Sequence, residues 1–244
     1  MAASSVIMML GNTAIAQGWE NEDGFSIGLA GAVSTNPYVG QGTELVPYPS
    51  VTYRSGPLSI GTFGLSYEGI ETNRLSISAG ISPRFSGLYS TDAPQLKGID
   101  RKITGDLALS AAFEFSPAFK SEMTFRQEVT GEHNGQELIL DMHYGTTFGD
   151  ITVEASAGAA WQSSDLSSYI WGVSSTESRP NRRAYTPGSV VIPYASISAV
   201  MPFTERWTLV STLRADFLPD EVSNSPIIDQ NNIYSAAFGL TYSF

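Results

Sequence analysis

The chain contains two histidines and no cysteine, so its options for side-chain chemistry are few. Asp141 stands two residues before His143, and residues two apart on a strand share a face. With a serine or threonine in reach, such a pair could form the base and orienting group of a hydrolase. No serine is expected on a nucleophile elbow, however, so the default role of His143 is a structural hydrogen bond. His133, between Glu132 and Asn134, reads as an exposed loop residue. Two imidazoles without thiolates argue against zinc, and Asp220-Glu221 is too small a donor set for calcium. The Gly-x-Gly patterns lack the strand–loop–helix setting of a nucleotide site. No catalytic residue, metal ligand or cofactor is assigned, and a non-enzymatic protein is expected.

A second group of reactive side chains is spread along the sequence at alternating positions. Leu107, Leu109, Phe113 and Phe115 alternate with Ala108, Ser110 and Glu114. Met123, Phe125 and Val129 alternate with Thr124, Arg126 and Glu128. Leu138, Leu140, Met142 and Tyr144 alternate with Glu137, Asp141 and His143, and the pattern repeats around Glu154, Arg214 and Asp216. Period two marks strands. Glu114, Arg126, Glu128, Asp141, His143, Glu154, Arg214 and Asp216 are thus expected to face one interior. They would form either a plugging salt-bridge network or a modestly cation-selective pore.

The elements that must position them are membrane strands. Only 15% of the residues are charged, below the roughly 25% of a typical soluble domain. The net charge of -11 excludes a basic nucleic-acid footprint, so no nucleic-acid partner is expected. After residue 17 no apolar run is long enough for a transmembrane helix, and backbone that crosses lipid without helices must close into a barrel. The segments are about ten residues long, which suits tilted membrane strands, and aromatics cluster at their ends. Eleven segments are legible: 25–35, 44–54, 58–67, 73–85, 103–115, 121–130, 137–148, 151–162, 189–201, 206–217 and 233–244. Bacterial single-chain barrels have even strand numbers, so twelve strands are expected (ten is the alternative), with the missing one between Pro57 and Phe85.

Short connections at 116–119, 149–150 and 202–206 read as periplasmic turns. Longer ones at 88–101, 130–136, 163–188 and 219–232 read as outer loops. In the longest, Tyr169, Trp171, Arg179, Arg182 and Arg183 are candidates for contact with lipopolysaccharide phosphates or another surface ligand, although charged runs are more often simply solvated. Residues 1–16 read as a signal peptide ending at Ala14-Ile15-Ala16, leaving 17–244 as a single outer-membrane barrel domain. The last strand places Phe238, Leu240, Tyr242 and Phe244 on one face, a pattern that resembles the signal read by the outer-membrane barrel assembly machinery.

Several segments recur in a familiar order: Pro37-Tyr38-Val39-Gly40, Val46-Pro47-Tyr48-Pro49-Ser50-Val51, Tyr169-Ile170-Trp171-Gly172-Val173-Ser174, Ala184-Tyr185-Thr186-Pro187-Gly188, Ser225-Pro226-Ile227-Ile228 and the strand 237–244. This order resembles the MipA/OmpV family of Gram-negative outer membranes, over nearly the whole chain after residue 17. The resemblance implies an outer-membrane barrel. It also implies a scaffold that brings a lytic murein transglycosylase together with a murein synthase in cell-wall remodelling. Other family members are described as adhesins or as affecting antibiotic susceptibility. Scaffolding is therefore the first expectation, through the periplasmic turns 116–119, 148–151 and 202–207. A narrow channel or small-solute binder, or a surface adhesin, is the alternative.

Overall fold

A computed structural model describes residues 23–85 and 93–244. The expected signal peptide and the start of the 88–101 loop lie outside the described residues. Twelve antiparallel strands form a closed barrel in which each pairs with its sequence neighbours and β1 closes on β12. They are β1 (Gly24–Ser34), β2 (Glu44–Ser55), β3 (Leu58–Gly61), β4 (Gly64–Glu71), β5 (Leu75–Arg84), β6 (Thr104–Ser116), β7 (Phe119–Glu128), β8 (Gln136–Phe148), β9 (Ile151–Gln162), β10 (Val190–Pro202), β11 (Trp207–Phe217) and β12 (Asn232–Ser243).

Closure leaves nearly all ladder groups paired, the condition for crossing hydrocarbon with strands. The pleat sends one parity of each strand outward: Leu29, Leu107, Leu109, Leu140, Met142, Leu213 and Phe238 are all exposed apolar side chains. Aromatic rings link up along the short-turn rim, as in Phe113–Phe115–Phe119 and Trp207–Tyr242–Phe244–Phe25, with centroids 4.9–5.7 Å apart. Such rings suit the interface between lipid and water.

The expectation of twelve strands holds. The segment read as one strand over 58–67 is in fact two, β3 and β4. The outward parity switches from even at Ile60 to odd at Leu65, and the chain reverses between them. Gly64 permits the reversal: its φ is +134°, and a Cβ there would collide with the Ile81 carbonyl.

Because β3 has only four residues, the wall between β2 and β5 is cut short. Pairing ends at Thr52↔Gly61 on the β2 side and at Leu65↔Ile81 on the β5 side. Above those rows β2 and β5 have no strand partner on the gap side among the described residues. Val51 N–H donates to Thr62 Oγ1 (2.9 Å) and Thr62 N–H to Val51 O (3.0 Å), so odd-numbered residues of β2 direct their backbone polar groups into the gap. Pro47 and Pro49 occupy that parity and have no N–H to leave unpaired. Pro83 does the same on β5, beyond Ile81, whose carbonyl faces β4. Proline at the N–H positions of an open edge keeps it from pairing with foreign strands. Phe63 turns inward through this notch and meets Tyr48 edge-on, centroids 5.2 Å apart.

The end that carries the long connections is covered by a core of its own. Four long connections contribute Tyr38, Leu96 and Ile99, then Leu166, Ile170, Trp171 and Val173, and finally Val222, Ile227 and Ile228, all buried in one cluster. Helix α1 (Ser164–Trp171) starts on Ser163, whose hydroxyl accepts from Leu166 N–H, and a short α2 (Asp220–Ser223) lies nearby. Tyr38 stacks on Trp171 with centroids 6.0 Å apart and donates its hydroxyl to Ile170 O (3.0 Å). The segments that carried the family resemblance supply Tyr38, Ile170, Trp171, Val173, Ile227 and Ile228 to this cap.

Candidate functional site

The interior has two unlike sides. From Arg84 at the end of β5 round to β11 it is largely filled by interlocked charges. Arg84 bridges Asp106 (2.6 Å) and Glu137 (2.8 Å), with all three side chains buried. Gln162 Nε2 donates to Glu137 (3.1 Å), and Trp171 Nε1 donates to Gln162 (3.0 Å). One hydrogen-bonded chain thus runs from the barrel wall into the cap. A second cluster joins Arg214 to Asp216 through Nε and the terminal nitrogen (2.7–3.1 Å). The same guanidinium lies 3.6 Å over the Tyr194 ring, and Tyr194 donates its hydroxyl to Asp141. A third joins His143 Nδ1 and Lys120 Nζ to Glu154 at 2.9 and 3.3 Å.

Toward the short-turn end of β1–β5 most inward positions are small: Ser26, Ser50, Thr52, Ser66, Ser78 and Gly80. A cavity of about 600 Å³ lies beside them, from Asp23 and Phe244 at the short-turn mouth up to Phe63 and Ser82 at the notch. Arg126 lines its far side. Its Nε has no hydrogen-bond partner among the described residues, and neither does Ser82 Oγ.

The residues singled out from the sequence distribute as follows. Asp141, His143, Glu154, Arg214 and Asp216 occupy inward positions within the second and third clusters. Arg126 faces the cavity. Glu114 is inward by register but exposed at the mouth, opposite Lys120. Glu128 does not project into open lumen. It is buried beneath the 129–135 loop, where it accepts N–H bonds from Thr130 (2.5 Å), Asn134 (2.8 Å) and His133 (3.3 Å). The Asp141–His143 pairing does not form, because each finds a cross-strand partner instead. His143 Nε2 has no hydrogen-bond partner among the described residues, so no nucleophile is bonded to it. Contrary to the expectation of no elbow pattern, Gly24-Phe25-Ser26-Ile27-Gly28 does spell Gly-x-Ser-x-Gly. It runs through unbroken strand β1, and Ser26 Oγ meets only Ser243 Oγ (3.1 Å).

Two outer-loop candidates need correction. Trp171 is in the cap core, and Arg182 is 2% exposed. Arg182 donates to the carbonyls of Gln95 (2.5 Å) and Glu177 (2.6 Å). Burial lowers its pKa, yet its hydrogen bonds make it a strut between two loops. A charged side chain that is needed to satisfy buried carbonyls cannot also reach a surface ligand. Arg179 and Arg183 remain exposed. Tyr169 is partly buried under Arg101, and burial pushes its hydroxyl pKa to about 12. Burial would raise Glu177, but hydrogen bonds from Arg101 and Ser174 outweigh that and hold it below the usual carboxylate range. His133 stacks on Tyr169 with centroids 4.6 Å apart, and burial lowers its pKa. Phe238, Leu240, Tyr242 and Phe244 all face outward.

Arg84, Asp106, Gln162 and Tyr194 were not singled out from the sequence, although each sits on the polar face of a legible strand. The missing information is cross-strand register, which decides who meets whom.

Residues 27–244 match the family model described as MltA-interacting protein MipA. The chain is 31% identical over 229 residues to the MltA-interacting protein of Escherichia coli, covering 91% of each. It is 28% identical over 184 residues to the outer membrane protein OmpV of Vibrio cholerae, covering 74% of this chain and 71% of that one. The translocator domain of the autotransporter NalP from Neisseria meningitidis matches with TM-score 0.52, over 93% of this chain and 90% of that one, at 9% identity. That likeness speaks for the barrel alone. The chain thus belongs to the MltA-interacting protein (MipA) family, as a β-barrel of the bacterial outer membrane.

Proposed function

We propose that the protein is a non-enzymatic scaffold of the outer membrane that holds a murein transglycosylase, and with it a murein synthase, at the periplasmic rim. The observation that carries this reading is the 31% identity, across 91% of both chains, with a protein named for its interaction with MltA. The architecture supports it. The outer end is packed shut by the cap, whereas the short turns 117–118, 149–150 and 203–206 leave the opposite rim accessible. Exposed Asp150, Glu205 and Arg206 stand on that rim. Short turns face the periplasm in barrels of this kind, where murein enzymes work. Outward Phe238 to Phe244 would serve barrel assembly, and exposed Arg179 and Arg183 would meet lipopolysaccharide.

The test is cross-linking in intact cells, followed by purification of the barrel and identification of attached proteins. Murein hydrolases or synthases should be enriched over an unrelated barrel. The enrichment should be lost on charge reversal of Asp150, Glu205 and Arg206 together, and kept on alanine substitution of Arg179 and Arg183. Absence of any enriched periplasmic enzyme would end the scaffold reading.

A further inference from the structure

We propose that the cavity behind the notch is a binding site for a single-chain anionic amphiphile, with its acidic head on Arg126 and its apolar chain leaving through the gap between β2 and β5. The inference is independent of the scaffold reading. It rests on three features of one region.

The first is access. β3 ends after four residues, so the barrel wall has a notch on its lipid-facing side, and prolines rather than strands finish both of its edges. Single β-bulges would not need Pro47, Pro49 and Pro83 together. Apolar Phe63, Leu65 and Ile81 border this opening and also line the cavity.

The second is space. The cavity volume of about 600 Å³ falls within the usual range of small-molecule sites, about 300–1,000 Å³. It is kept open by the small inward residues of β2–β5. In the register, Ser66, Gly80, Ala108 and Arg126 follow one another across β4, β5, β6 and β7. Gly80 and Ala108 therefore leave a clear path along one row, from the notch floor to the guanidinium.

The third is an inward guanidinium without a hydrogen bond. Arg84 takes up the carboxylates of Asp106 and Glu137, and Arg214 takes up Asp216. Arg126 faces Glu137 across the strand pair but forms no hydrogen bond or ion pair among the described residues. An inward guanidinium without a partner is costly unless an anion meets it. Ser82 Oγ, also unpartnered, borders the same cavity. A carboxylate or phosphate head would accept from Arg126, and Arg suits either through paired N–H donors. Glu137 stands opposite Arg126 in the register, and a carboxylate there opposes a dianion more than a singly charged head, which favours the latter.

The test uses the full-length barrel in neutral polyoxyethylene micelles, with bound probe counted by native mass spectrometry. The probes are dodecanoate, its methyl ester, butanoate and lyso-phosphatidylglycerol. One dodecanoate should bind per barrel, saturably, and more tightly than either the ester or butanoate. Loss of charge-assisted bonds in Arg126→Gln should weaken it by roughly tenfold or more, with Arg126→Lys in between. Ala108→Phe, which fills the path without removing a charge, should abolish binding. Heat-modifiable gel migration verifies that each variant is folded. Preference for dodecanoate over lyso-phosphatidylglycerol would identify a free carboxylate as the ligand, and the reverse a membrane lipid. Equal binding of the ester, equal binding by Arg126→Gln, equal binding of butanoate, or no saturable binding would each overturn the proposal.

Discussion

The two sides of the interior solve the problem of a narrow barrel in opposite ways. From Arg84 at the end of β5 round to β11, long charged side chains fill much of the lumen and, Arg126 apart, pair with one another, and through Gln162 and Trp171 they are continuous with the cap. Along β1–β5 the inward residues beside the cavity are mostly serine, threonine, glycine and alanine, and the space is left open. A twelve-strand barrel is small enough for side chains to fill much of its interior, so hollowness on one side is a property of the residues and not of the strand number. The charged side gives rigidity at the cost of desolvating ions. The small side gives room and a lateral opening, at the cost of a shortened wall.

The largest break in this contrast should come from Arg84→Ala. It strands Asp106 and Glu137 without their cation, and removing one partner of a buried ion cluster costs about 3–5 kcal/mol. Urea unfolding of the refolded barrel, followed by heat-modifiable migration, measures it. Ser78→Ala on the hollow side should shift the same midpoint by less than about 0.5 kcal/mol.

Next is Ile170→Ala in the cap core, where Ile170 has no exposed surface. The loss should be about 2–5 kcal/mol, felt as faster amide exchange over 164–188 with the strands still protected. If strands and cap lose protection together, the two are one cooperative unit. Volume then separates the two sides directly. Ser156→Leu forces bulk beside the Ser156–Ser196 contact of 2.6 Å and should cost about 1–3 kcal/mol, whereas Ser66→Leu should be accommodated by the cavity. An effect of about 1–3 kcal/mol is expected for Trp171→Phe, which keeps an aromatic ring beside Tyr38 but removes the bond to Gln162 and part of the packed ring.

The smallest effect should be the acid response of the outer loops. His133 is lowered by burial from 6.5, so the folded form prefers it neutral. Glu177 is lowered from 4.5, so the folded form prefers it ionised. Both contribute stability that is complete above the unfolded values and lost as pH falls through the folded ones. Exchange over 129–135 and 164–188 should therefore accelerate below about pH 6.5, and again below about 4.5. His133→Phe should remove the first step alone.

Much of this molecule was legible along the chain. Strict alternation of apolar and polar residues over ten-residue segments leaves a closed barrel as the one backbone arrangement that satisfies its own hydrogen bonds in lipid. The same alternation assigned Arg126, Asp141, His143, Glu154, Arg214 and Asp216 to the inner face, because a strand's period of two is a local property. The parity switch between Ile60 and Leu65 even held the missing strand, though an expectation of uniform strand length hid it. What the sequence could not state was pairing across strands. Asp141 and His143 look like partners at a spacing of two, yet Tyr194 and Glu154 claim them from 53 and 11 residues away. Trp171 and Arg182 look like surface residues of a polar loop, yet four loops converge to bury them. Register and loop convergence arise only when the sheet closes, so the tertiary structure alone decided which charges cancel, which side stays hollow and where the wall opens.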